Sequence, residues 1–404
     1  MREKERPEWE HPEEHSSSAQ PGSRPNEYVW RANTSSDQPP VPPVQEAPSR
    51  RSMRVQFIDW EKDAFHVSDN NFTYVQGLGF IPDSPMVYEQ KAIRRTAGYA
   101  GLAMLFYLAL SWLLRLPVGW LLSMLGFDFT VTSDGVVHGS AAMQQIFGMI
   151  VYILELGIPT AFLYFALQAP HNMRRMLKAP RKSLLFMSLP MAISVSILSG
   201  LCLNIIMNLL SFAGFRAALP ETAVPKDHTA FILYLIAMTI LPAVLEEFFF
   251  RGVLMTAFRR FGDTAALFIS ALLFALAHAN LLQSISAFVM GLVLGYFVMR
   301  SGSIWTGVLI HFANNLLSVL VPFVTQYLPG RYQTVALLGF YVLIMIIGIL
   351  CCVLFARRDN GAFTLMNPKS RLTIPNKVGT AMTSVSVAFF AVLILIQYMM
   401  LLFI

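Results

Sequence analysis

From residue 97 onward the chain alternates long apolar runs with short polar connections. Nine runs stand out, at about 97–124, 142–168, 183–213, 229–258, 264–282, 284–300, 303–325, 334–356 and 380–404. Two stretches, TVALLGFYVLIMIIGILCCVLFA (334–356) and TSVSVAFFAVLILIQYMMLLFI (383–404), hold no charged residue at all. An uninterrupted apolar stretch of about 18 residues or more marks a membrane-spanning helix, because ~1.5 Å of rise per residue must cross ~30 Å of hydrocarbon. The runs do not alternate apolar with polar positions, as the strands of a membrane β-barrel would. The pattern therefore predicts an all-α polytopic integral membrane helix bundle of about eight or nine transmembrane helices.

The connections order these spans. QKAIRRT, before the first run, is basic. The first connection holds Asp128 and Asp134 and no Lys or Arg, and the second holds Arg174, Arg175, Lys178, Arg181 and Lys182. The third is mixed (Arg216, Glu221, Lys226, Asp227), the fourth has Arg259 and Arg260, and the fifth is uncharged. The sixth carries Arg300, the seventh only Arg331, and the eighth Arg357, Arg358, Lys369, Arg371 and Lys377. Basic connections mark the cytoplasmic side. The expected topology has a cytoplasmic N-terminus, with the plasma membrane as the expected location. Nine spans would put the C-terminus outside; one re-entrant segment would reverse that.

Residues 1–50 are rich in Glu, Pro, Ser and Arg, and PPVPP (39–43) favours an extended polyproline conformation. They read as a disordered cytoplasmic tail, with too little apolar surface to offset the entropy of ordering. Residues 51–96 mix Phe57, Trp60, Phe65, Phe72 and Tyr74 with charges and read as a juxtamembrane segment. Residues 97–404 form the transmembrane bundle.

Composition agrees. The chain is 55% hydrophobic and 13% charged, against about 25% charged in soluble proteins. Its net charge of +6 sits in the connections, where it reports topology, so no nucleic-acid partner is implied. Cys202, Cys351 and Cys352 lie within apolar runs and read as packing residues without a disulfide framework.

What composition does not explain is LPAVLEEFFFRG (241–252), which sets Glu246, Glu247 and Arg251 inside a span. A charge at mid-bilayer costs roughly 2.5–3.5 kcal/mol on insertion scales, so such residues face the bundle interior and are functional candidates. His278, His311, Asn314 and Asn315 follow. Helix arithmetic about the turn RRFGDT (259–264) brings Glu246 and His278, each ~16 residues from it, to one depth. His311, ~8 residues into its span, lies ~12 Å deep. Glu247 and Arg251, at i and i+4, have the spacing of a structural ion pair. Glu246 points ~100° away and stays free for chemistry. Glu155 competes for Arg251 by depth. His311 and Asn315 share a helix face, and Asn314 points elsewhere. Asn204 and Asn208 read as glue between helices. Gly291 and Gly295 allow close packing against a neighbouring span.

EEFFFR, FALAH (274–278) and HFANN (311–315) fit EExxxR, FxxxH and HxxxN in order and spacing. Over roughly 229–325 the chain resembles the CPBP (Abi) intramembrane proteases, which include the type II CaaX prenyl proteases. The resemblance implies a membrane endopeptidase acting on a membrane-associated peptide or protein within the lipid bilayer. The first glutamate and the FxxxH histidine would act on water, and the third motif would stabilise.

The residue chemistry fits that expectation. Hydrolysis needs an activated water and an oxyanion stabiliser. Glu246 is the natural general base, His278 shares the water or protonates the leaving amine, and His311 with Asn315 donates to the tetrahedral oxygen. Glu246, His278 and His311 are also the donor types of an open three-ligand zinc site. HExxH is absent, so a metal-free glutamate scheme is favoured, with zinc as the candidate cofactor of the metallo alternative. Two other readings of the same cluster stay open, a proton-coupled transporter and a non-enzymatic membrane scaffold.

Overall fold

The computed structural model describes residues 72–75, 79–82, 84–132, 137–167, 170–212, 224–325 and 327–402. The expected tail over 1–50, and residues 51–71, lie outside them.

Twelve helices carry the fold among the described residues. They are α1 (Pro85–Leu113), α2 (Arg115–Met124), α3 (Ala141–Ala166), α4 (Pro170–Met176), α5 (Lys182–Phe212) and α6 (His228–Arg259). The others are α7 (Asp263–Ala277), α8 (Leu281–Ser301), α9 (Ile304–Thr325), α10 (Gly330–Arg358), α11 (Ile374–Met382) and α12 (Val385–Leu402). Two short antiparallel hairpins accompany them. β1 (Phe72–Val75) pairs with β2 (Gly79–Pro82), and β3 (Phe129–Val131) pairs with β4 (Val137–Gly139) between α2 and α3.

The chain is an all-α polytopic membrane protein. Among the described residues seven helices are long and apolar enough to span a bilayer (α1, α3, α5, α6, α8, α9 and α10), and α11 with α12, bent by 74°, supplies an eighth if counted as one span. The fifth apolar run makes only the 15-residue α7, ~22 Å long against ~30 Å of hydrocarbon. It ends early because Ala279 takes a left-handed backbone (φ 52°). Asn280 then starts α8 by accepting hydrogen bonds from the N–H groups of Leu282 and Gln283 at 3.1 Å each. At the other extreme, α1 already begins at Pro85, within the expected juxtamembrane segment, where Ser84 Oγ accepts from Val87 N.

The basic connections gather at one end of the bundle. Lys377 Nζ pairs with Glu89 at 2.9 Å and donates to the carbonyl of Phe261. Asp263 N donates to Met366 O at 2.8 Å, and Arg260 donates to Thr96 Oγ1 at 3.1 Å. Arg300 pairs with Asp359, Ser303 Oγ donates to Lys178 O, and Trp305 Nε1 donates to Leu177 O at 3.0 Å. The start of α1 and the second, fourth, sixth and eighth connections therefore meet on one side, which is the alternation of charge expressed in space.

Close helix contacts rely on small residues. A Cβ at Gly101 of α1 would lie 2.4 Å from Val387 N of α12. Gly291 and Gly295 of α8 sit against Ala271 and Leu267 of α7, the close packing expected of them. Two expectations need correction. Asn204 is exposed and donates to Gly200 O of its own helix at 3.0 Å, and Asn208 is exposed too, so neither binds helices together. An amide that bonds its own i−4 carbonyl needs no neighbour. Cys202 is also exposed, whereas Cys351 and Cys352 pack against a buried cluster around Phe297 and Phe355; all three are free thiols.

Candidate active site

The site is built on α6, whose backbone departs from a regular α-helix. Leu241 N bonds back to Ile236 O, and wide turns of this kind span Ile236–Ile240 and Glu247–Met255. Pro242 has no N–H to offer Met238, so the ladder slips locally to i→i+5. Such widened turns concentrate at functional positions.

Glu247 and Arg251 sit on the second wide turn, both fully buried, with Nη1 2.7 Å from Oε1. Arg251 also donates to Gly291 O at 3.3 Å, and its guanidinium lies 4.3 Å from the centre of the Phe274 ring. A charge enclosed this way needs its counter-charge and hydrogen bonds to be tolerated. Glu155 does not compete for it: the carboxylate that pairs with Arg251 is that of Glu247. His311 of α9 brings Nδ1 to 3.1 Å from Glu247 Oε1. Close approach of α9 depends on Gly307, where a Cβ would stand 2.5 Å from Glu247 Oε2.

Glu246 faces the opposite neighbour. The Tyr152 hydroxyl of α3 donates to its Oε1 at 2.5 Å, and Tyr107 of α1 lies close by. Its Oε2 is buried without a hydrogen-bond partner among the described residues and stands 3.8 Å from His311 Nε2. That separation is too long for a direct hydrogen bond and is the kind of gap a shared water bridges.

His278 caps α7, and its Nδ1 lies 2.8 Å from Phe274 O. Nδ1 therefore carries the proton, and Nε2 is the nitrogen left for chemistry. Both imidazoles pack edge-on to Phe274, at 4.8 Å for His278 and 5.9 Å for His311. The phenylalanine of the second motif thus joins Arg251, His278 and His311 around one ring. His278 makes no ion pair with either glutamate among the described residues.

The side-chain oxygen of Asn314 points elsewhere: it accepts from Ser196 Oγ of α5 at 2.6 Å. Asn314 Nδ2 donates to Asn315 Oδ1 at 3.4 Å. The side-chain oxygen of Asn315 is thereby engaged, and its Nδ2, one helical turn from His311, has no hydrogen-bond partner among the described residues. Sequence reasoning missed Tyr152, Tyr107, Ser196 and Gly307. One signal was present: Tyr152 and Glu155, at i and i+3, put two polar groups on one face of an apolar helix.

The candidate zinc set is not assembled in this arrangement. Among the described residues no three His, Cys, Asp or Glu side chains form a group that could hold a metal ion. Glu246 and His311 approach each other, but His278 spends Nδ1 on its own helix and stands apart from the pair.

Residues 228–317 match the family model described as type II CAAX prenyl endopeptidase Rce1-like. The match supports a likeness of this segment to the CPBP/CaaX proteases. No curated protein and no solved structure matches the chain. All three motifs fall inside the matched segment, which supports a CAAX-type membrane endopeptidase in general. Tyr152 and Ser196, which hold Glu246 and Asn314, come from helices outside it.

Proposed function

We propose that this chain is an intramembrane endopeptidase that hydrolyses a peptide bond of a membrane-associated peptide or protein with water activated by Glu246. The observation that carries the reading is the 3.8 Å pairing of Glu246 Oε2 with His311 Nε2, while Tyr152 fixes the other oxygen of Glu246.

Charge counting assigns the roles. Arg251 balances Glu247, and a single further proton neutralises the whole buried cluster of Glu246, Glu247, Arg251 and His311. On His311 that proton makes Nε2 a donor and leaves Glu246 a carboxylate base. Glu246 Oε2 then takes a proton from water as the water oxygen attacks the carbonyl carbon. His311 Nε2–H and Asn315 Nδ2 supply hydrogen bonds to the resulting oxyanion. Glu246 then gives up the proton it took from water. His278 Nε2, an acceptor while Nδ1 keeps its own proton, relays it to the leaving amine, and the C–N bond breaks to give a new carboxyl group and a new amine. No step passes through a metal. The same reading keeps the end with the basic connections in the cytoplasm of a plasma-membrane protein.

The test is incubation of the purified chain with a library of membrane peptides, with products identified by mass spectrometry. A discrete peptide cut supports the reading, and the absence of any product across the library contradicts it.

Tyr152 acts here as a positioning residue. Tyr152→Phe removes one hydrogen bond to a charged group, so kcat should fall about tenfold while KM stays near the wild-type value. A change confined to KM, or no change, would show that the phenol serves packing alone.

A further inference from the structure

Away from the catalytic cluster, α1 and the bent α11–α12 pair enclose a groove of about 670 Å³. Its mouth carries Arg94 and Arg95, both exposed and without an ion pair among the described residues. Its floor is the break between α11 and α12. There Ser384 is only 6% exposed, yet its hydroxyl has no hydrogen-bond partner among the described residues. The 18-residue α12 also opens its N-terminus toward this floor, which adds backbone N–H groups and the positive end of a helix dipole. The walls are apolar: Tyr99, Leu102 and Phe389 line the groove, with Leu102 and Phe389 facing outward from the bundle. Arg94 and Arg95 lie at the end of α1 where the basic connections meet, so the groove opens at one leaflet's interface.

We propose that this groove holds an anionic phospholipid of that leaflet. The phosphate sits between Arg94, Arg95 and the Ser384 hydroxyl, and an acyl chain lies along Tyr99, Leu102 and Phe389. Two unpaired guanidiniums and an unsatisfied hydroxyl match a phosphate in charge and donors, and the outward-facing apolar wall matches a chain already immersed in hydrocarbon. Basic pockets between spans at the cytoplasmic side are known to take such headgroups. The site does not depend on the protease reading.

Gly98 makes the proposal testable without disturbing the fold. A Cβ there meets nothing within 4 Å, so Gly98→Leu projects a side chain into the groove without a clash. The full chain, purified in detergent, is titrated with phosphatidylglycerol or phosphatidylcholine, and bound lipid is counted by native mass spectrometry. The wild type should retain phosphatidylglycerol in preference to phosphatidylcholine. Arg94→Gln with Arg95→Gln should weaken phosphatidylglycerol retention about thirtyfold and abolish the preference, and Gly98→Leu should lose both lipids. Excess inorganic phosphate should not displace the lipid. The proposal is overturned by any of four results: equal retention of the two lipids by the wild type, unchanged retention in the arginine variant, unchanged retention in Gly98→Leu, or full displacement by phosphate. Thermal melting confirms that each variant is folded.

Discussion

Glu246→Gln slows peptide cleavage by at least about a thousandfold, in the range set by losing a general base, while the bundle stays folded. The amide keeps the shape of the side chain and still accepts the Tyr152 hydroxyl that lies 2.5 Å from Oε1. It cannot take a proton from water. The measurement is single-turnover product formation on a cleaved membrane peptide, beside thermal melting of the two proteins in one detergent. Melting should match the wild type, so the loss lies in chemistry. Cleavage by the variant within about tenfold of wild type would remove Glu246 from the base role. The same variant separates the rival uses of the cluster, because a scaffold would be indifferent to it and a transporter would lose proton-coupled flux instead.

Arg251→Met destabilises the fold by about 3–5 kcal/mol, because it strands the buried Glu247 carboxylate without its counter-charge. The wild-type pair is fully enclosed, with 2.7 Å between Nη1 and Oε1. Adding Glu247→Gln should restore most of that stability, since replacing both partners removes the uncompensated charge. It should not restore cleavage, because His311 Nδ1 then loses the carboxylate that stands 3.1 Å away. Thermal unfolding of the three variants in one detergent checks the first half, and cleavage by the double variant checks the second. Wild-type melting of Arg251→Met alone would show the pair to be energetically idle.

These outcomes rest on parts of the molecule that the sequence exposed unequally. The spans were legible because apolar length against bilayer thickness is a strong constraint. The shortness of α7 was not, because the break at Ala279 is a single left-handed residue inside an otherwise apolar run. The break between α11 and α12 also fell inside one predicted run, although no left-handed residue makes it. Glu247 with Arg251, and His311 with Asn315, were readable from i, i+4 spacing. Tyr152 with Glu246 and Ser196 with Asn314 were not, because their partners lie 94 and 118 residues apart in the chain. Lateral contacts between spans leave no periodic trace. Asn204 and Cys202 were misread for a related reason: a run that is apolar all round does not say which face meets protein and which meets lipid.

The account stands or falls on whether Glu246 and His311 act on one reacting centre, and a double-mutant cycle asks that directly. Single-turnover cleavage is measured for wild type, Glu246→Gln, His311→Ala and the double variant. If both side chains serve the same water and the oxyanion it creates, the double variant is no slower than the slower single variant. If the two losses multiply, the residues act independently and the shared site is wrong.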